Sequence, residues 1–381
     1  MTRNILGLHL QGNAYYSDEK WLTRSMEELR DYIQWIWLMD PGNWHYDSPF
    51  PHQKCGVRFF PVSKWNDIER ECVSHGADGA QRWINWMLPR YEGVQRWATC
   101  LQGPNEVAVG TYDQRMRLNE FAVELYRLCL RHGIPLAFGG CFGVGWPGGE
   151  SASEHMDWTE CIKRDTIQLL PTYDHCDYIV SHHYGKRDES RWAEMQGWTL
   201  RYRMVQDVLD AVTEGGFNKP RLITEGGLDQ IGNKDTSGWR GPGGPSRAEY
   251  VKQVMGVCDE IANDKNVQCY ELFTALSAGW PSFRVERPDW EAFAREIVKR
   301  EPYGEPPAGR PLPHDELGTK DPLTLTEKTR WFTEELKRNL VEGRDVEYGM
   351  SIADELPALA RAAEVAVHNI ERSTLPPDVS S

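Results

Sequence analysis

The sequence predicts an α/β fold of the (β/α)8 barrel type, and three observations carry that expectation. Short apolar runs of strand length recur eight times along the chain. Helix-length segments separate nearly all of them, and polar residues crowd the carboxyl ends of the runs. Repeated βα units imply a parallel sheet, and eight favour closure into a barrel whose chemistry lies on the carboxyl rim.

NILGLHL at 4–10 reads as the first strand, and 17–33 as a helix that Ser17 or Asp18 can cap. WIWLM (35–39) and GVRFF (56–60) are the next two strands, joined by a Pro- and aromatic-rich stretch with no visible helix. Residues 78–91 form a helix, RWATCLQG (96–103) the fourth strand, and 111–132 a long amphipathic helix. PLAFGG (135–140) is the fifth strand, followed by a short helix at 163–172 and the strand DYIVSHHYG at 177–185. A helix at 197–214 leads to the seventh strand, PRLITEGG (220–227). The segment 244–264 is helical with a cap at Ser246, 267–280 holds the last strand and its exit, and 288–299 is the closing helix. The catalytic barrel thus spans 1–300. Residues 301–323 are a Pro-rich linker or strap, and 324–381 a helical extension. That extension is expected to pack on the barrel, mediate self-association into a homo-oligomer, or cap a neighbouring surface.

Composition narrows the function. Of 381 residues, 40% are hydrophobic and 26% charged, so a large core can form. A net charge of −14 argues against nucleic acid or an anionic membrane as the main partner. No apolar run reaches membrane-span length, and the first strand begins where a signal peptide would stand, so a soluble, cytoplasmic protein is expected. Nine cysteines, an odd number without a C-x-x-C pair, suit buried free thiols in a reducing compartment. Sixteen tryptophans exceed what the core needs, and their flat faces suit sugars.

The rim residues then decide the chemistry. Strand one ends with His9 and strand three with Arg58. Asn105 and Glu106 follow strand four. His182, His183 and Tyr184 close strand six, Glu225 closes strand seven, and Trp280 follows strand eight. Glu106 and Glu225 stand nearly opposite each other around such a barrel. Paired carboxylates, one protonated and one ionised, are what glycosidic cleavage requires.

PNE at 104–106 and ITEGG at 223–227 resemble the motifs of the clan A, or 4/7, superfamily of retaining glycoside hydrolases. The resemblance implies that Glu106 is the acid/base and Glu225 the nucleophile of a double displacement on a β-linked glycan or glycoside. It also implies that Asn105 binds the sugar 2-hydroxyl, Tyr184 and Arg58 hold Glu225 ionised, and Trp280 floors the sugar site. Val107 stands where many members have Pro, and Arg58 lies on strand three where the family's arginine usually comes from strand two. Glu106 is then expected to keep its proton near neutrality and Glu225 to lose it.

Other features are weaker. Adjacent strand residues face opposite ways, so only one of His182 and His183 can enter the barrel; His183 or Tyr184 is expected near the site. His9 lacks the second His of an H-x-H pair, so neither a metal nor an organic cofactor is expected. G143 to G148 fits G-x-G-x-x-G by letter, but Pro147 stops a following helix, leaving Trp146 as a sugar platform on a loop. Trp239, in the Gly-rich loop after strand seven, has the same reading. The alternatives are a barrel that binds carbohydrate without cleaving it and an unrelated barrel enzyme. The paired glutamates tell against the first, and the absence of a strand-ending Lys tells against Schiff-base lyases.

Overall fold

Eight short, buried strands pair in chain order, all parallel, and the eighth closes on the first. They are β1 (Leu6–Gln11), β2 (Trp35–Met39), β3 (Lys54–Arg58), β4 (Ala98–Gln102), β5 (Leu136–Phe138), β6 (Tyr178–Gly185), β7 (Arg221–Leu228) and β8 (Val267–Ala275). The computed structural model describes residues 3–11, 20–41, 48–60, 64–107, 109–139, 158–185, 200, 202–229, 234–275 and 279–302. Trp146, all but the first two residues of the 301–323 segment, and the 324–381 extension lie outside the described residues.

Around the barrel run α1 (Lys20–Glu28), α2 (Trp65–Ser74), α3 (Gly76–Glu92), α4 (Tyr112–Arg131), α5 (Trp158–Gln168), α6 (Leu170–Asp174), α7 (Tyr202–Val212), α8 (Arg247–Ile261) and α9 (Arg287–Ile297). Local chemistry sets their starts. Thr111 caps α4 in a reciprocal box with Gln114, and Ser246 Oγ accepts the Glu249 N–H at 3.3 Å, as the sequence predicts. The sequence reading leaves α2 unassigned. Its buried face, Trp65, Glu69, Cys72 and Val73, recurs at helical spacing but includes a carboxylate. The β2–β3 connection pairs its strands in parallel with no helix among its described residues.

Alternation along the strands divides the core into two layers. Trp35, Trp37, Cys100, Ala137, Tyr178, Val180, Leu222 and Cys269 fill the barrel interior. A larger apolar layer joins strands to helices. Gly56 is required where it stands, because a Cβ there would enter the Trp37 ring. The eight described cysteines are buried and free. No helix among the described residues is long and apolar enough to cross a membrane.

Candidate active site

Inward-facing positions on β6 share one parity. Tyr178 and Val180 belong to the interior cluster, so His182 and Tyr184 rise from the same face at the rim. His183 points the other way, and its ring meets Tyr202 of α7 with centroids 5.2 Å apart. The sequence expectation of His183 near the site is therefore corrected: His182 takes that place. The parity of Tyr184 was the signal that could have decided it.

His182 lies between the two glutamates. Its Nδ1 is 3.3 Å from Glu106 Oε1 and its Nε2 is 3.4 Å from Glu225 Oε1. Tyr184 donates its hydroxyl to Glu225 Oε2 at 2.8 Å. Glu225 reaches this position where the β7–β8 register shifts between Ile223 and Gly226, a device that re-aims a side chain. Glu106 reaches it through a left-handed backbone, φ 49°, which costs a non-glycine residue about 1–3 kcal/mol.

One oxygen or nitrogen from each of Glu106, His182 and Glu225 falls within 4.8 Å of the others. Such a trio has the residue types and spacing of a metal site, with one ligand atom from each residue. The imidazole also turns one nitrogen to each carboxylate.

Asn105 is oriented from the barrel floor. Trp37 Nε1 donates to Gln102 Oε1 at 2.8 Å, and Gln102 Nε2 donates to Asn105 Oδ1 at 2.9 Å. These two bonds fix the orientation of the Asn105 amide. His9 Nδ1 lies 2.7 Å from the Thr224 carbonyl, so it carries the proton and Nε2 is a buried acceptor without a protein partner. Burial drives the His9 pKa down to about 3, which keeps the ring neutral. Arg58 does not contact Glu225 directly. Its Nη2 donates to Asn66 Oδ1 at 2.8 Å and to Glu69 Oε2 at 3.2 Å, and it acts on the glutamates through its field.

The pKa shifts of the two glutamates run in the opposite direction to the one the sequence suggests. Burial pushes Glu225 above the usual carboxylate range and the charge on Glu106 adds to this, against His182, Arg58 and the Tyr184 bond. Burial also raises Glu106, but the His182 hydrogen bond and charge outweigh it, with Arg58 and Arg70 helping, and Glu106 ends below its ordinary value. The physical reason is exposure and the bridge. The Glu225 side chain is 10% exposed and Glu106 33%, and the shorter His182 contact falls on Glu106.

No protein-family model matches the chain, and no curated protein matches it. Among solved structures it is similar to a beta-glucosidase from Exiguobacterium marinum, at 10% identity and TM-score 0.43, over 78% of this chain and 98% of that one. It is also similar to an endo-1,4-beta-D-mannanase from Thermotoga petrophila, at 12% identity and TM-score 0.41, over 78% and 99%. A third is a GH39 enzyme from Xanthomonas axonopodis pv. citri, at 12% identity and TM-score 0.43, over 78% and 67%.

The predicted aromatic platforms divide. Trp280 is 37% exposed and lies edge-on to Phe273 and Phe283, rings that also contact Tyr184. One layer of phenylalanine rings therefore separates it from Tyr184. Trp239 does not act as a platform. It is 5% exposed, its ring stacks on Tyr250 of α8 at 4.5 Å, and the Arg240 guanidinium lies over it. Sequence reasoning missed Trp37, Gln102, Glu69 and Phe273. For Gln102 the signal was its parity with the interior residue Cys100; for Glu69 no signal existed without α2.

Proposed function

We propose that this chain is a retaining glycoside hydrolase that cleaves β-linked O-glycosidic bonds by double displacement. The observation that carries the reading is the approach of two rim carboxylates, with oxygens within 4.8 Å. Carboxyl groups roughly 5–5.5 Å apart suit a nucleophile and an acid/base, whereas inversion needs roughly 6.5–9.5 Å to admit water between them.

In this scheme Glu225, the more buried and the one bonded by Tyr184, attacks the anomeric carbon. Glu106 gives a proton to the departing oxygen as the C–O bond breaks. Glu106 then takes a proton from water, which displaces Glu225 from the sugar. His182, with Nε2 toward Glu225 and Nδ1 toward Glu106, stands where a neutral ring can take a proton from Glu225 at Nε2 and release its Nδ1 proton to Glu106, which leaves Glu225 ionised for attack. Asn105 and the free acceptor of His9 meet sugar hydroxyls, and Trp280 meets a sugar face. The substrate is thus a β-linked glycan or glycoside, and double displacement needs no cofactor.

The test is a panel of aryl β-glycosides with Glu225→Ala as the blank, expected to lose about 10⁴-fold or more in kcat. An activated 2-deoxy-2-fluoroglycoside should leave its sugar on Glu225, as read by peptide mass. Label on another residue, or product of inverted anomeric configuration, defeats the proposal.

A further inference from the structure

We propose that α2 positions the acid/base, through a clamp made by its consecutive residues Glu69 and Arg70; this rests on the role given above to Glu106. Glu69 is buried, and its Oε2 accepts the Asn105 backbone N–H at 3.2 Å. Arg70 Nε donates to the Glu106 backbone carbonyl at 3.3 Å. An acceptor therefore meets the N–H at one end of the Asn105–Glu106 pair, and a donor meets the C=O at the other. Between those two fixed points lies the left-handed φ of 49° at Glu106.

That backbone angle aims the Glu106 carboxylate at His182 Nδ1. A side chain of this kind, left to itself, relaxes to the right-handed or extended regions. Holding both ends of the dipeptide removes that freedom. The same Glu69 oxygen also accepts from Arg58, whose other bond goes to Asn66 one turn earlier on α2. One helix thus sets the Arg58 guanidinium and the Glu106 carboxylate in a common frame. Arg70 is half exposed, and its other contact is a 4.0 Å surface pair with Asp67, so its removal leaves the core untouched.

Arg70→Ala is the primary variant, because Glu69→Ala also strands a buried arginine and can fail to fold. Glu69→Gln keeps one oxygen able to accept both bonds and is the conservative rescue. Arg82→Ala, which removes only a surface pair with Glu71, is the control. Crystal structures give the first readout. Arg70→Ala is expected to take Glu106 out of the left-handed region or its carboxylate away from His182, while Glu69→Gln keeps both.

Kinetics give the second readout. For Arg70→Ala, kcat/KM should fall about tenfold further with a poor leaving group, which needs the acid, than with 2,4-dinitrophenolate. An equal fall for both leaving groups would assign Arg70 a general structural role and overturn the clamp. An unmoved Glu106 in the Arg70→Ala crystal overturns it as well. If the unaltered protein cleaves no aryl glycoside, the hydrolase reading fails, and the crystal readout still decides the clamp.

Discussion

Replacing Tyr184 by Phe removes one oxygen and, with it, the 2.8 Å hydrogen bond to Glu225 Oε2. The ring itself keeps its edge contacts with Phe273 and Phe283, at 6.1 Å each, so the packing of the cleft wall survives. A hydrogen bond to a charged acceptor contributes about 1.5–3 kcal/mol, which corresponds to about 10- to 150-fold in kcat/KM if the bond persists to the transition state. The bond also lowers the pKa of Glu225 against a burial that raises it. Tyr184→Phe must therefore move the break of the pH–rate profile that Glu225 sets to higher pH; with Glu225 the higher of the two acidities this is the alkaline limb. Stability follows the same sign. Glu225 has a raised folded pKa, so the stability linked to its protonated form is complete below the unfolded carboxylate value and is lost as pH rises through the folded one. In the variant this loss extends to higher pH, so denaturant unfolding at pH 7.5 should show a larger deficit than at pH 4.5. An alkaline limb that stays in place, or moves to lower pH, would refute the placing of Tyr184 on an ionising nucleophile.

Substituting His182 by Asn removes the group that holds Glu106 low; the acidic limb, set by the lower of the two acidities, should move to higher pH, with kcat down about 100-fold or more, measured on the same aryl glycosides. Trp280→Ala should raise KM about 2- to 12-fold with little change in kcat, the loss expected for one aromatic contact of about 0.5–1.5 kcal/mol. Glu271, on the interior side of β8, is fully buried, and burial raises its pKa well above the ordinary range against the weak pull of the Cys269 thiol beside it. Its stability contribution is present below the unfolded carboxylate pKa and lost as pH rises, so Glu271→Gln should match the parent in urea at pH 4 and exceed it at pH 8. A variant weaker than the parent at pH 8 would count against the neutral carboxyl.

How much of this was legible beforehand depends on the range of the interaction concerned. The strands announce themselves locally, because a run such as WIWLM or RLITEGG has to be buried on both faces. Glu106 and Glu225 are legible for the same reason, each being a carboxylate where such a run ends. Side choice on β6 was available from the parity of Val180 and Tyr184, yet two adjacent histidines obscured it. Trp239 misled because its partner Tyr250 belongs to the following helix, and a Gly-rich context reads as loop. The order of the two acidities was beyond reach: it turns on His182, 76 positions from Glu106 in the chain and 3.3 Å from it in space. Arg58 lay on the expected strand, but its carboxylate partner sits on a helix whose inward face carries a charge.

The chain of contacts from Trp37 through Gln102 to Asn105 gives the barrel floor a second significance. Trp37 can lie flat only because Gly56 on the next strand has no side chain. A single methyl group added at Gly56 would displace the indole, then the Gln102 amide, and then the Asn105 side chain. Mutational tolerance should therefore be lowest along a line running from the middle of β3 to the cleft, including positions that no substrate ever touches. For anyone re-engineering this barrel, loops can be exchanged only while that line is left alone.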